Sequence, residues 1–222
     1  MLTHKTPFDE KVHEIESCLN VLRAFGLKIK DNYLEAWLTE EELNRVKEKA
    51  PSLFEPQRKV LIHAASAHPD KVYPRDKWVK LIKILKERHD LNPYFTGAKQ
   101  DKELYEELAR LSGVKSVNMA GELNIRESMA LYRHMDLAVC VDSGPSHLAS
   151  AVGVPTFTLF GPTDPERWAP KGEGCRAVFD ASLECRPCHY KKTCQNRECL
   201  TNMEPDVIIE SMAEQLESLL KA

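Results

Sequence analysis

From Arg58 onward, short apolar runs alternate with stretches whose apolar residues recur at helical spacing. Lys59–Ala65 reads as a buried strand. Trp78, Leu81, Ile82 and Leu85 then mark an amphipathic helix over Trp78–His89. Pro93–Thr96 is a short strand stopped by Gly97. Leu104, Leu108 and Leu111 define a helix over Asp101–Ser112, ended by Gly113, and Val114–Met119 is the next strand. Asn124 with Glu127 caps a helix that runs to Met135. Two apolar strands follow, Leu137–Val141 and Thr156–Phe160, with a helix from Ser146 to Val152 between them. Pro205 opens a last amphipathic helix with Val207, Ile208, Met212, Leu216 and Leu219. Apolar strands alternating with helices predict an α/β fold, a doubly wound, Rossmann-like parallel sheet.

The first 57 residues follow a different rhythm. Thr6-Pro7-Phe8-Asp9 has the composition of a helix start, with Val12, Ile15, Leu19 and Leu22 at helical spacing and Gly26 closing the run. Tyr33–Leu38 is strand-like. Thr39 and Glu42 form a capping box for a charged helix to Lys49, and residues 51–56 are a connector.

Composition narrows the class. The 222 residues are 42% hydrophobic and 29% charged, ordinary values for a globular chain. A net charge of −3 gives no footprint for nucleic acid. No apolar run reaches membrane-span length and the N-terminus lacks a signal core, so the expected location is cytoplasmic, with peripheral attachment at the inner membrane face open.

Ligands of doubly wound sheets sit beyond the carboxyl ends of the strands. The residues that follow the strands therefore hold the candidate chemistry. Asp142-Ser143-Gly144-Pro145 joins a strand to a helix start, where unpaired N–H groups and the helix dipole favour an anion. Gly144 lets a phosphate approach the backbone. Ser143 adds a hydroxyl, His147 lies in the first helical turn, and Asp142 is expected to shape the turn and cap the helix. Ser66 and Lys71 follow the first core strand. Lys71 can balance phosphate charge, or it is an ordinary solvated lysine. Asp101 is either a helix-start acid or a ribose contact.

Four of the seven cysteines, Cys185, Cys188, Cys194 and Cys199, crowd one segment. They read as a loop of reduced thiols, as zinc ligands, or as a disulfide. No Walker loop, HExxH or GxSxG motif is present, and no general base stands out.

Two motifs, Asp142-Ser143-Gly144-Pro145-Ser146-His147-Leu148-Ala149 and Leu159-Phe160-Gly161-Pro162-Thr163-Asp164-Pro165, resemble those of the family 9 glycosyltransferases, the ADP-heptose:lipopolysaccharide heptosyltransferases and their relatives. Asp70-Lys71-Val72-Tyr73-Pro74 looks like the family's Lys-x-Trp-Pro, with Tyr73 in place of Trp. The Cys185–Leu200 segment and Pro205-Asp206-Val207 resemble its C-terminal tail. The likeness covers residues 58–222 well and 1–57 loosely.

The resemblance implies the C-terminal half of a GT-B fold. Residues 1–57 would be an inter-domain helix and linker region, and residues 58–222 a nucleotide-sugar-binding domain. Lys71, Ser143, Gly144 and His147 would meet the diphosphate of an ADP-heptose-like donor, with Ser66 and Asp142 beside it. Asp101 would meet the ribose and Leu123 the adenine. No cofactor is required, a zinc ion at the cysteines aside. The family's glycine-rich N-terminal segment, which serves the acceptor and catalysis, has no counterpart in this sequence. The expectation is a donor-binding part of a heptosyltransferase that transfers nothing alone. The acceptor, lipopolysaccharide core or another glycan, would be met through a missing N-terminal half, and a partner half or a second copy would cover the exposed helices. A zinc- or partner-binding module and a GT-B-type epimerase are the alternative functions.

Overall fold

In the computed structural model, residues 5–6, 9–190, 194 and 196–221 are described. Two helices open the chain, α1 (Glu14–Ala24) and α2 (Glu40–Lys49), followed by a 3-10 turn over Pro51–Phe54. The alternating part then runs β1 (Lys59–His63), α3 (Arg75–His89), β2 (Asn92–Phe95), α4 (Lys102–Ser112), β3 (Val117–Asn118), α5 (Ile125–Tyr132), β4 (Leu137–Val141), α6 (Gly144–Ala151) and β5 (Thr156–Leu159). A short helix, α7 (Pro165–Trp168), and an edge strand, β6 (Arg176–Val178), complete the sheet. Three helices end the chain, α8 (Glu198–Thr201), α9 (Pro205–Ser211) and α10 (Ala213–Lys221).

All five strand pairings are parallel, and the sheet order is β3-β2-β1-β4-β5-β6. The chain builds outward from β1 in one direction, then returns to β4 and builds in the other. The reversal between β1 and β4 is a topological switch point, where the loops leaving neighbouring strands part and leave a crevice. β1 and β4 lie at the centre and are buried at every residue, which their continuous apolar runs anticipate.

Helices cover both faces. One core layer joins Val60, Ile62, Trp78, Leu81, Leu85 and Phe157 with Ile208 and Met212 of the C-terminal helices. The other joins Leu61, Tyr94, Ala138 and Cys140 with Met129, Leu131, Val46 and Leu53. Residues 40–54 are thus part of the second layer. Glu127 on α5 closes the Asn124 capping box and also meets Lys49 of α2 at 2.8 Å.

Several elements differ from the sequence expectation. The first helix begins at Glu14, capped by His13 rather than Thr6, and Pro7 and Phe8 lie outside the described residues. It buries none of its residues, and Val21, Leu22, Phe25 and Leu27 are exposed. Tyr33–Leu38 is extended but forms no ladder; Ala36 N–H donates to Ala151 O at 3.0 Å. The C-terminal helix breaks at Met212, whose N–H bonds back to Ile209 O at 3.0 Å. Strand β3 keeps only two of six expected residues, because an edge strand is paired only as far as β2 reaches it.

Candidate functional site

The crevice at the β1/β4 switch point holds a cavity of about 530 Å³. Ser66 enters it from the loop after β1, Asp101 from the turn after β2, Leu123 from the loop after β3, and Ser143 and Gly144 from the turn after β4. Five of the expected donor residues, far apart in sequence, therefore line one space. The cavity wall also includes Ile125, Ser128, Tyr132 and Leu148. A helix turns about 100° per residue, so Leu148, four residues after Gly144, returns to the same face. That spacing could have located it in the sequence.

The floor of the crevice is fixed by buried polar contacts. Ala64 N–H donates to Tyr105 Oη at 3.2 Å, which anchors the end of β1. His63 Nδ1–H donates to Thr96 O at 2.8 Å, and burial pulls its pKa below the ordinary histidine value. Asp101 Oδ2 accepts the Ala98 N–H at 2.7 Å and lies 2.7 Å from where a Cβ on Gly97 would stand. That carboxylate therefore folds the Gly97 turn with one oxygen while facing the cavity.

Lys71 and Asp142 do not line the crevice; they pair beside its Ser143 wall. Lys71 stands in a 3-10 turn over Pro69–Lys71, and its Nζ lies 2.7 Å from Asp142 Oδ2. The same oxygen accepts from Thr163 Oγ1 at 2.5 Å. Burial lowers the Lys71 pKa, but the hydrogen bonds and charge of Asp142 and Tyr190 outweigh it, and the net shift is upward. The ammonium is held charged beside the start of α6.

Asp142 was expected to cap α6, and it does not. Ser143 is the N-cap residue, and no side chain caps that helix. Ser143 Oγ donates instead to Val141 O at 3.1 Å. Pro145 has no N–H and Ser146 N–H donates to Ser143 O at 3.1 Å, so the first turn offers an external acceptor the Gly144 N–H. His147, expected at the diphosphate, lines a second cavity with His13, Cys18, Arg167 and Trp168, and lies near enough to Asp142 and Lys71 to feel both charges. Burial depresses its pKa, while the Asp142 charge opposes that shift.

The four cysteines of the tail line a third cavity, of about 200 Å³, with Asp70, Arg186, Tyr190 and Arg197. All seven cysteines are free, so none of the four is in a disulfide. Among the described residues, no group of three or more His, Cys, Asp or Glu is placed to hold a metal ion.

The fold is a Rossmann-type parallel sheet with a crevice at its switch point, beside a helix start and a charged lysine. Its family is shown by sequence: the description Glycosyltransferase family 9 (heptosyltransferase) matches residues 2–199, and the chain belongs to that family. It is 29% identical over 184 residues to lipopolysaccharide heptosyltransferase 1 of Campylobacter coli, covering 81% of this chain and 53% of that protein. The chain spans about half the length of the curated relatives it matches. The fold matches that of a family 9 glycosyl transferase from Veillonella parvula, with a TM-score of 0.82 at 20% identity over 97% of this chain and 63% of the other. It also matches E. coli ADP-heptose lps heptosyltransferase II, with a TM-score of 0.71 at 20% identity over 90% and 58% of the two chains. These neighbours are GT-B glycosyltransferases, so the sheet is that of a GT-B half.

Proposed function

We propose that this chain is the donor-binding part of a heptosyltransferase of lipopolysaccharide synthesis, and that its ligand is an ADP-sugar of the ADP-heptose type. The observation that carries the reading is the Lys71–Asp142 pair, 2.7 Å across, beside the uncapped start of α6. A diphosphate at that start meets the Gly144 backbone N–H and the Lys71 ammonium together. The cavity extends from there past Asp101 to Leu123 and Ile125, which gives a nucleoside a polar sugar end and an apolar base end. A relative with ADP-heptose in its name and the same fold supports the choice of nucleotide.

Sugar transfer needs a base for the acceptor hydroxyl and an acceptor oriented against the donor. The crevice supplies donor contacts and no base aimed at a second substrate. The acceptor site therefore belongs to a further half, and the exposed apolar residues of α1 are the surface such a half would cover. No helix among the described residues is long and apolar enough to cross a membrane. A cytoplasmic protein that meets a lipid-linked acceptor at the membrane face fits this reading.

Calorimetric titration of ADP and adenosine into this chain tests the donor assignment. ADP is expected to bind more tightly than adenosine, by the contacts of its phosphates. Equal affinities would refute the phosphate site. Sugar transfer to a lipid A–core acceptor by this chain alone would refute the donor-only reading.

A further inference from the structure

The floor of the β1/β4 crevice is polar, and Thr96, the residue after β2, organises it. Its carbonyl takes the His63 Nδ1–H at 2.8 Å, and its hydroxyl pairs with Tyr132 Oη at 2.9 Å. His63 comes from the end of β1 and Tyr132 from the end of α5, and both line the crevice. His63 is 6% exposed and Tyr132 2% exposed, so both are built into the floor rather than scattered on the surface. Polar groups so deeply buried cost stability unless each finds a partner.

The bonds to Thr96 decide what each group has left to offer. An imidazole whose Nδ1 carries the proton is an acceptor at Nε2. Among the described residues, no N–H or O–H donates to that atom. Burial lowers the His63 pKa and so favours the neutral ring with its lone pair open, while the carbonyls of Thr96 and Ala65 and the Asp101 charge pull the other way. Thr96 and Tyr132 hold two hydroxyl protons and share one bond, so one proton is left over. Of the two, Tyr132 lines the crevice, and with the Thr96 hydroxyl donating, the proton left over is the phenol's. Burial raises the Tyr132 pKa, so the phenol keeps that proton. The floor therefore presents one acceptor and one donor, both anchored on Thr96.

A single ligand group satisfies both only if it gives and takes a hydrogen bond. A hydroxyl does; an exocyclic amino group only gives, and a ring nitrogen or carbonyl only takes. Asp101 lines the same crevice, and its carboxylate, with Oδ2 taking the Ala98 N–H, has capacity for a second hydroxyl. Two neighbouring hydroxyls are what the cis-diol of a ribose presents. We propose that His63 and Tyr132 are specificity-determining residues of the crevice: together they bind one hydroxyl of the ribose, Asp101 takes the other, and the site selects ribonucleotides over deoxyribonucleotides. The inference rests on the donor reading above and names the part of the donor that the crevice floor reads.

The test is calorimetric titration of ADP, 2′-deoxy-ADP and 3′-deoxy-ADP into the parent chain, His63→Phe and Tyr132→Phe. The parent is expected to bind ADP about tenfold more tightly than at least one deoxy analogue, the size of leaving a buried polar group without its partner. In both variants ADP is expected to weaken toward that analogue, until the two affinities agree within about threefold. A different sugar pucker in the analogue is common to parent and variants and cancels in the ratio. Tyr132→Phe removes one oxygen and keeps the ring, so it answers the question on its own if His63→Phe does not fold. Equal binding of ADP and both analogues by the parent would overturn the proposal and leave the donor site standing. A parent preference that survives undiminished in Tyr132→Phe would assign the diol to other residues and overturn the proposal as well. A parent chain that binds no ADP would overturn the donor reading together with it.

Discussion

Replacing Lys71 with alanine probes the charged edge most sharply. In the free protein the substitution leaves Asp142, a side chain 7% exposed, with the Thr163 hydroxyl and no cation. Breaking a fully buried ion pair costs about 3–5 kcal/mol. The Lys71 side chain is 20% exposed, so water can reach the carboxylate once the lysine is gone, and about 1–2 kcal/mol is the appropriate figure. For a chain of this size that is a fall in melting temperature of about 2–8 °C. The effect on ligand is larger. A diphosphate loses a charge-assisted contact of about 1.5–3 kcal/mol and then faces an unneutralised Asp142, so ADP should weaken by about tenfold to a hundredfold. Adenosine, which has no phosphates, should keep its affinity. Calorimetry with both ligands, beside thermal denaturation of the free variant, measures all three quantities. ADP affinity within twofold of the parent, in a variant that melts lower by the expected amount, would show that Lys71 serves the fold and not the ligand.

Gly144→Ala separates ligand from fold in the opposite way. A Cβ there meets nothing within 4 Å, so the melting temperature should hold, while the methyl group blocks the approach of a phosphate and ADP should weaken by about tenfold; unchanged ADP titrations would contradict this. Tyr105→Phe leaves the buried Ala64 N–H without its 3.2 Å acceptor and should lower stability by about 1–3 kcal/mol in urea denaturation. A loss below about 0.5 kcal/mol would mean that this bond does not anchor β1. His63 titrates lower in the folded chain than its ordinary 6.5, because burial disfavours the charged ring. The unfolded chain therefore takes up the proton first, and stability should be complete above pH 6.5 and fall as the pH drops below it. His63→Asn should flatten that part of a urea midpoint–pH curve, and an unchanged slope would assign the effect to other groups.

The central strands were legible because burial on both faces forces an unbroken apolar run, as in Val60–Ile62 and Leu137–Val141. Edge strands carry no such signature, so β6 was not foreseen and β3 was drawn too long. The grouping of Ser66, Ser143 and Gly144 followed from a rule of topology, since all come after strands of one parallel sheet, whereas Leu123 was expected from the family resemblance alone. His147 lines a neighbouring cavity while Leu148, one residue on, lines the crevice, and His147 still feels the charges of Asp142 and Lys71. The Asp142 contacts were hidden for another reason. Lys71 and Thr163 reach it from loops that only the sheet order makes neighbours, and no local pattern marks such a meeting.

The crystal structure of this chain with ADP tests the donor site most directly. The account predicts phosphate oxygens within hydrogen-bonding distance of the Gly144 backbone N–H and of Lys71 Nζ, with the adenosine running along Asp101 to Leu123 in the β1/β4 crevice. ADP seated anywhere else, the cysteine-lined cavity included, or an empty crevice at saturating ADP, would contradict it.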